Sequence, residues 1–218
     1  MLSPELFLAF LAALVLLELS PGPDMMLVMA RGIGQGKRTA LCTVFGMVFV
    51  AGVVQVALLV FGLASVVSRY PLALQLLQWV GAAYLIYLGI KTCVSRTSPL
   101  QQRQTSAISD WQAVRQGAAN SLTNPKSLLF MFAFLPQFVD PAYGPVWLQL
   151  LILGSIQKLT GILSLGAVAM AAGSAGQWLG RNERILQWQE KFTGLVMVAL
   201  GIRLFFSDSS AASITASK

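Results

Sequence analysis

Two short proline-containing segments carry the residue types that could bind a small charged ligand. They are Ser20-Pro21-Gly22-Pro23-Asp24 and Thr123-Asn124-Pro125-Lys126. Proline lacks a backbone donor and clashes with the preceding helical turn, so each segment should interrupt a helix and free backbone polar groups. In the second segment, asparagine before proline is typical of a helix N-cap, and in the first, aspartate after proline falls in a first helical turn. We expect a half-helix to begin at each break, with N-terminal amides free to bind a carboxylate.

Four ionisable side chains lie inside otherwise apolar runs: Glu18, Asp24, Lys126 and Lys158. A charge near the bilayer centre costs about 2.5–3.5 kcal/mol on insertion scales, so each is a functional candidate. The charges of the two acids and two bases cancel, as expected if they pair inside the helix bundle. We predict that Glu18 pairs with Lys158. The helix dipole disfavours a cation in a first turn, so Lys126 should need a carboxylate partner, either Asp24 or a ligand. Alternatively, Lys158 extends to a membrane interface and Glu18 lies in a water-filled vestibule.

The composition excludes most soluble and enzymatic classes. Of 218 residues, 56% are hydrophobic and 11% charged, whereas soluble domains have about 45–50% and about 25%. The chain has no histidine, which excludes histidine zinc sites, Ser-His-Asp catalysis and histidine proton relays. Cys42 and Cys93 have neither metal-site spacing nor the number for a disulfide scaffold. We therefore expect that the protein is not an enzyme and that it binds neither a metal nor a cofactor.

Six mostly apolar runs could each form a membrane-spanning helix, which needs about 20 residues. The runs cover 6–30, 40–67, 72–90, 112–135, 146–178 and 192–206. The first and fourth contain the proline breaks, and the fifth exceeds a bilayer's thickness, so its inner end should lie along the surface. The first run lacks a basic flank and a cleavage site, so we interpret it as a retained span rather than a signal peptide. Residues 207–218 are small and polar, which predicts a disordered tail.

The basic residues indicate orientation. Most of them fall in the first, third and fifth connections: Arg31, Lys37, Arg38, Lys91, Arg96, Arg103, Arg115, Arg181, Arg184 and Lys191. Basic loops favour the cytoplasmic side, which places both termini in the periplasm. The net charge of +7 therefore reflects topology and not nucleic-acid binding. Three spans per half predict two inverted repeats, 1–100 and 101–206, each opening with a broken helix.

Breaks at matching places in two halves point to a transporter's substrate site. The alternative is that both prolines merely kink packing helices, as proline often does in membranes. We favour the first interpretation because ionisable residues accompany both breaks. The predicted substrate-binding residues are Pro21, Gly22, Pro23, Asp24, Asn120, Asn124, Pro125 and Lys126. The predicted ion-coupling residues are Glu18, Asp24 and Lys158.

The motifs taken together resemble the LysE/RhtB family of amino-acid exporters over residues 3 to about 206. The matching elements are 20–24, Arg31-Gly32 with Gly36, 81–89, Asn120 with 123–126, and 135–138. The resemblance implies a six-span inner-membrane exporter driven by the proton gradient, closest to the RhtB-like branch for homoserine, threonine and neutral amino acids. Acidic residues that the family often carries in its second and fifth spans are missing from 49–53 and 156–159. The resemblance then implies that Glu18 takes over their role.

Together these features predict an all-α membrane protein that exports small zwitterionic amino acids by proton antiport. The substrate carboxylate should meet Asn124 and Lys126, its ammonium Asp24 or Glu18, and one of those acids should also exchange protons. A passive channel or a non-transporting membrane partner remains an alternative. An intramembrane thiol carrier or metalloprotease is disfavoured, because the cysteines lie away from the breaks and histidine is absent. The fifth run is rich in glycine, which suits close helix packing and leaves a homodimer open: Gly154, Gly161, Gly166, Gly173 and Gly176.

Overall fold

The computed structural model of the chain describes residues 2–63, 71–94, 107–172 and 183–206, which are almost entirely helical and contain no strand. The helices are α1 Pro4–Leu19, α2 Pro23–Gln35, α3 Lys37–Leu63, α4 Pro71–Val94, α5 Asp110–Thr123, α6 Pro125–Leu129, α7 Val146–Ala171 and α8 Glu183–Phe206. Helix α3 contains π-helical turns at Gly46–Val50 and Leu58–Leu63. A π-helical turn at Phe130–Phe134 and short 3₁₀ turns at Leu135–Phe138 and Pro141–Tyr143 follow α6.

Each of the six predicted apolar runs contains a described helix, although 64–67 of the second run and 173–178 of the fifth lie outside the described residues. By length and apolarity, three of them could cross a membrane: α3, α4 over Gln75–Val94, and α7. The bent pair α1–α2 makes a fourth if it is a single span. Helix α8 begins well before the predicted sixth run, at Glu183. Residues 95–106 of the third connection, 179–182 of the fifth connection and the tail at 207–218 also lie outside the described residues.

Both proline breaks occur where the sequence predicts them. Helix α1 ends before Ser20, α2 begins at Pro23, and the two helix axes meet at 43°. Helix α5 ends before Asn124 and α6 begins at Pro125. The break in the second segment is shorter, because a single residue separates the two helices there.

Two apolar clusters hold the helices together. The larger cluster includes aromatic rings from α1 and from the turns after α6. The ring centroid of Phe138 lies 5.6 Å from that of Phe10 and 5.2 Å from that of Phe134, and both pairs pack edge to face. The smaller joins α2, α3 and α7 through side chains such as Val28, Met47 and Ala169. Burial of these aromatic and aliphatic side chains stabilises the broken segments in the bundle, since a half-helix alone buries little apolar surface.

Close helix contacts depend on glycines outside the predicted fifth run. A Cβ at Gly46 of α3 would lie 2.0 Å from the Val114 carbonyl oxygen of α5, and one at Gly89 of α4 would lie 2.6 Å from the Gly194 oxygen of α8. In α7, by contrast, a Cβ at Gly161 would reach only Val48 at 3.9 Å, and one at Gly166 would meet nothing within 4 Å. Gly161 and Gly166 therefore do not make the close helix contacts within the described chain that the glycine-rich run predicts, and a homodimer stays a prediction. A Cβ at Gly154 would come within 3.0 Å of Leu59, and Gly173 and Gly176 lie outside the described residues.

Candidate functional site

A cavity lies between the two helix breaks. Its empty space, counting its opening, is about 680 Å³. The end of α1 and the start of α2 form one wall, the α5–α6 break another, and α3 and α7 the rest. All four ionisable residues of the apolar runs line it: Glu18, Asp24, Lys126 and Lys158. Side chains far apart in sequence thus share one cavity.

Lys126 joins the two breaks directly. Its Nζ donates to the backbone carbonyl of Ser20, and a Cβ at Gly22 would lie 3.1 Å from the Lys126 Cδ. Glycine at position 22 therefore leaves room for the lysine side chain. The predicted carboxylate partner of Lys126, Asp24, is not the group it contacts. The interruption after α1 leaves that carbonyl oxygen free of an intrahelical donor, and the oxygen supplies the acceptor instead.

Asp24 and Asn120 link α2 to α5. The Asn120 Nδ2 donates to Asp24 Oδ1 at 2.7 Å. Asn124 is the N-cap of α6, and its side-chain oxygen accepts from the Lys126 backbone nitrogen at 3.1 Å. The backbone N–H of Lys126, one of the half-helix amides expected to bind a ligand, is therefore already hydrogen-bonded by the cap. The ammonium group of the Lys126 side chain supplies positive charge at this break.

The predicted pair between Glu18 and Lys158 does not form. The Ser164 hydroxyl donates to Glu18 Oε2, while Lys158 Nζ donates to Gln55 Oε1. Lys158 and Ser164 are six positions apart on α7, about 9 Å along a helix axis, so the carboxylate that reaches one is distant from the other. Both lysines still interact electrostatically with both acids across the cavity.

A polar chain continues from Lys158 to the second break. Gln55 is fully buried, and its Nε2 donates to the Ser121 carbonyl oxygen at 3.0 Å. Each of the four charged groups thus holds one neutral partner: an amide, a hydroxyl or a carbonyl. Across the described residues, the ion pair within 4 Å is Arg38 with Asp110, at 2.6 Å, away from the cavity. The cavity charges sum to zero without being paired to one another.

Not every predicted binding residue reaches the cavity. Gly22, Asp24, Asn124 and Lys126 line it. The prolines at 21, 23 and 125 shape the breaks but are not among the lining residues, and Asn120 acts through Asp24. The carbonyl of Pro21 accepts from the Thr193 hydroxyl of α8 at 3.2 Å.

Sequence reasoning predicted Asn120 and Asn124 but missed the other neutral polar residues at the site. Gln55 and Ser164 hold the charged groups, and Ser121, Ser127 and Gln157 also line the cavity or its wall. A search for charges inside apolar runs does not detect them. A search for amide side chains inside the apolar runs would have found Gln55 and Gln157, because an uncharged polar side chain in a membrane span also needs a hydrogen-bond partner within the protein.

The arrangement suits a small ligand that carries both charges. Two carboxylates and two ammonium groups face one space whose remaining wall includes apolar side chains such as Met25, Met47 and Leu165. Within the described ranges, no three His, Cys, Asp or Glu side chains form a group able to hold a metal.

Comparison with known proteins gives the family. The model of the LysE type translocator family matches residues 15–208. An uncharacterized membrane protein of Vibrio cholerae is 32% identical over 92% of this chain and 96% of its own length. The homoserine/homoserine lactone efflux protein of Salmonella typhimurium is 30% identical over 89% of this chain and 93% of its own.

A leucine efflux protein of Salmonella choleraesuis is more distant, at 24% identity over 89% of this chain and 92% of its own. No solved structure matches the chain. The family model covers nearly all of the sequence, including both breaks and every residue that lines the cavity. The resemblance seen in the sequence motifs is confirmed, and the chain belongs to the LysE type translocator family.

Proposed function

We propose that the protein exports small neutral amino acids across the bacterial inner membrane by proton antiport. The observation that carries this proposal is the cavity at the two helix breaks, with two acids and two bases on its wall. Relatives named as homoserine and leucine efflux proteins support amino acids as the substrate class. Four charged groups inside apolar helices are costly to keep, and transport of a charged solute gives a reason for them.

The proposed architecture is six spans in two inverted repeats, residues 1–100 and 101–206. The helix contacts support it, because α4 packs along α8 and α3 contacts α7. These are the third with the sixth predicted span and the second with the fifth, which are equivalent positions in the two proposed halves. In this arrangement the broken spans, α1–α2 and α5–α6, are equivalent, and the substrate lies between them.

In the bound state, the substrate carboxylate lies near Lys126 and Asn124, and its ammonium lies near Asp24 or Glu18. A zwitterion adds no net charge to a cavity whose own charges balance, so binding leaves no uncompensated ion in the membrane. The apolar wall that includes Met47 and Leu165 then faces the side chain of the amino acid. These contacts make uncharged side chains the preferred class.

Asp24 or Glu18 carries the coupled proton in this scheme, since the chain has no histidine. An ionised carboxylate only accepts hydrogen bonds, whereas a protonated one also donates. Proton uptake at Asp24 therefore changes its bond with Asn120, which joins α2 to α5. Protonation at Glu18 acts in the same way on its bond with Ser164, which joins the end of α1 to α7.

The test is uptake of radiolabelled L-homoserine or L-leucine into inverted membrane vesicles, in which an exporter moves substrate inward and an acidic lumen drives proton antiport. We expect Asp24→Asn to abolish proton-driven efflux while the protein still inserts at wild-type amounts. The matched control is Asp110→Asn, which removes an exposed ion pair worth about 0–1 kcal/mol and should leave efflux unchanged. Wild-type efflux from Asp24→Asn would contradict the role of this residue.

Collapse of the pH gradient distinguishes a proton antiporter from a passive channel and from a non-transporting membrane partner. An antiporter stops accumulating substrate, whereas a passive channel still passes it down its concentration gradient. A membrane partner without transport activity moves neither probe under any condition.

A further inference from the structure

Two buried polar atoms at the cavity have no hydrogen-bond partner within the described part of the chain. They are Gln157 Oε1 and Ser20 Oγ, on side chains that are 4% and 2% exposed. Both residues line the cavity. Most buried polar groups in native proteins are hydrogen-bonded, and an unpaired one is destabilising. Two such atoms in the lining of one cavity indicate a ligand that supplies the missing partners.

The position of Gln157 on α7 directs it to the same space as the charged residues. Gly161 and Ser164 follow it four and seven positions later, on the same helix face, and both line the cavity. The nearest atom to a Cβ at Gly161 is in Val48, 3.9 Å away. Open space therefore lies one helical turn from the Gln157 side chain.

Gln149 shows what a structural glutamine looks like on this helix. It is 1% exposed, and its Nε2 donates to the backbone oxygens of Asp140 and Gly144 at 2.8 and 2.9 Å. Its Oε1 accepts from the Asp140 nitrogen at 3.2 Å. Gln149 and Gln157 are the same residue type, equally buried and on one helix, but only the first has its oxygen bonded within the chain. Burial and helix packing therefore do not explain Gln157.

The chemistry of the two atoms defines the missing group. An amide oxygen accepts hydrogen bonds and cannot donate, and a hydroxyl oxygen can accept as well. The partner of the Gln157 oxygen must therefore be a donor, and the Ser20 hydroxyl can accept from the same group; the ammonium group of an amino acid has three N–H donors. Resting on the proposed function, we infer that Gln157 and Ser20 bind the substrate ammonium group, beside Asp24 or Glu18. Neither residue carries charge, so they fix its position while the carboxylate supplies the electrostatic attraction.

The experiment compares Gln157→Met with Gln149→Met in the full-length protein. Thermal stability is measured on purified protein in detergent, with and without L-leucine or L-homoserine, and KM is measured in vesicles. We expect Gln157→Met to keep or raise the Tm without ligand, to lose the ligand-induced rise in Tm, and to raise KM about tenfold. Gln149→Met should lower the Tm and leave KM unchanged.

Two further variants separate hydrogen bonding from shape. Gln157→Glu retains an acceptor and should keep KM closer to the wild-type value than Gln157→Met does. Ser20→Ala removes one hydroxyl and should raise KM without lowering the Tm, which keeps the inference testable if Gln157→Met folds poorly. The inference is overturned if Gln157→Met and Ser20→Ala both retain the wild-type KM. If the wild-type protein exports no amino acid, the proposed function itself fails, which is a different result.

Discussion

At the scale of single residues, the cavity separates its charges from one another. Lys126 donates to the Ser20 carbonyl and Lys158 to the Gln55 side chain, so neither ammonium group contacts a carboxylate. A direct ion pair between the cavity acids and bases would have to break before a zwitterion could bind. Neutral partners hold the lysines in place and leave their charge available.

This arrangement predicts a preference for substrates with a carboxylate. Homoserine lactone has an amino group but no carboxylate, so it brings no counter-charge to Lys126 and Lys158. We expect L-homoserine to be exported more efficiently than its lactone, and Lys126→Met to reduce that preference by lowering homoserine export about tenfold. The measurement is competition between the two compounds for efflux of labelled L-homoserine. Equal competition by the lactone in the wild-type protein would contradict the assignment.

The matched control for Lys126→Met is Lys37→Met, because Lys37 is an exposed residue at the start of α3. It should change neither the export rate nor the preference. The comparison separates a charge at the cavity from a general loss of positive charge.

At the scale of elements, the breaks could be predicted and their partners could not. Proline after asparagine and proline before aspartate determine a helix start through local chemistry, which sequence shows directly. The partner of Glu18 depends on which turn of α7 lies opposite the end of α1, a property of packing between distant segments. Charge balance predicted Lys158 as the partner of Glu18. The residue that lies opposite Glu18 is instead Ser164, nearly two turns further along α7.

The glycine contacts show the same limit. A glycine-rich run predicts close packing, but sequence does not say which glycine faces a backbone. Gly46 and Gly89 face neighbouring carbonyl groups, whereas Gly161 and Gly166 face open space. Composition thus predicts that helices approach closely, and only the fold shows where.

Helix α3 offers a direct test of this packing. A methyl group at Gly46 would lie 2.0 Å from the Val114 oxygen, whereas one at Gly62 of the same helix would meet nothing within 4 Å. We expect Gly46→Ala to force α3 away from α5 and to destabilise the protein by about 1–3 kcal/mol. Gly62→Ala should be neutral or stabilising by up to about 1 kcal/mol, because alanine favours helix.

Thermal unfolding in detergent measures both variants. A lower Tm for Gly46→Ala alone is the expected result. Equal Tm values for the two variants would show that α3 and α5 do not approach through this glycine.

At the scale of the whole molecule, contacts on one side of the bundle link the basic segments. Arg38, at the start of α3, pairs with Asp110 at the start of α5, and Arg31 of α2 donates to Gln116 of α5. The first connection therefore lies beside the end of the third, on one side of the bundle. The cytoplasmic location of both connections stays a prediction from their basic residues.

The proposed topology places the C-terminus in the periplasm, which reporter fusions can measure. Alkaline phosphatase is active after export to the periplasm, and green fluorescent protein fluoresces when it folds in the cytoplasm. We expect a phosphatase fusion after the last residue to be active and the matching fluorescent fusion to be dark, because six spans return the chain to the side where it started. Fusions within the third connection, at 95–106, should show the opposite pattern, since this segment is basic. A fluorescent C-terminal fusion would mean an odd number of spans or an inverted orientation. With an odd number of spans, the two broken helices could no longer belong to equivalent, oppositely inserted halves of three spans each.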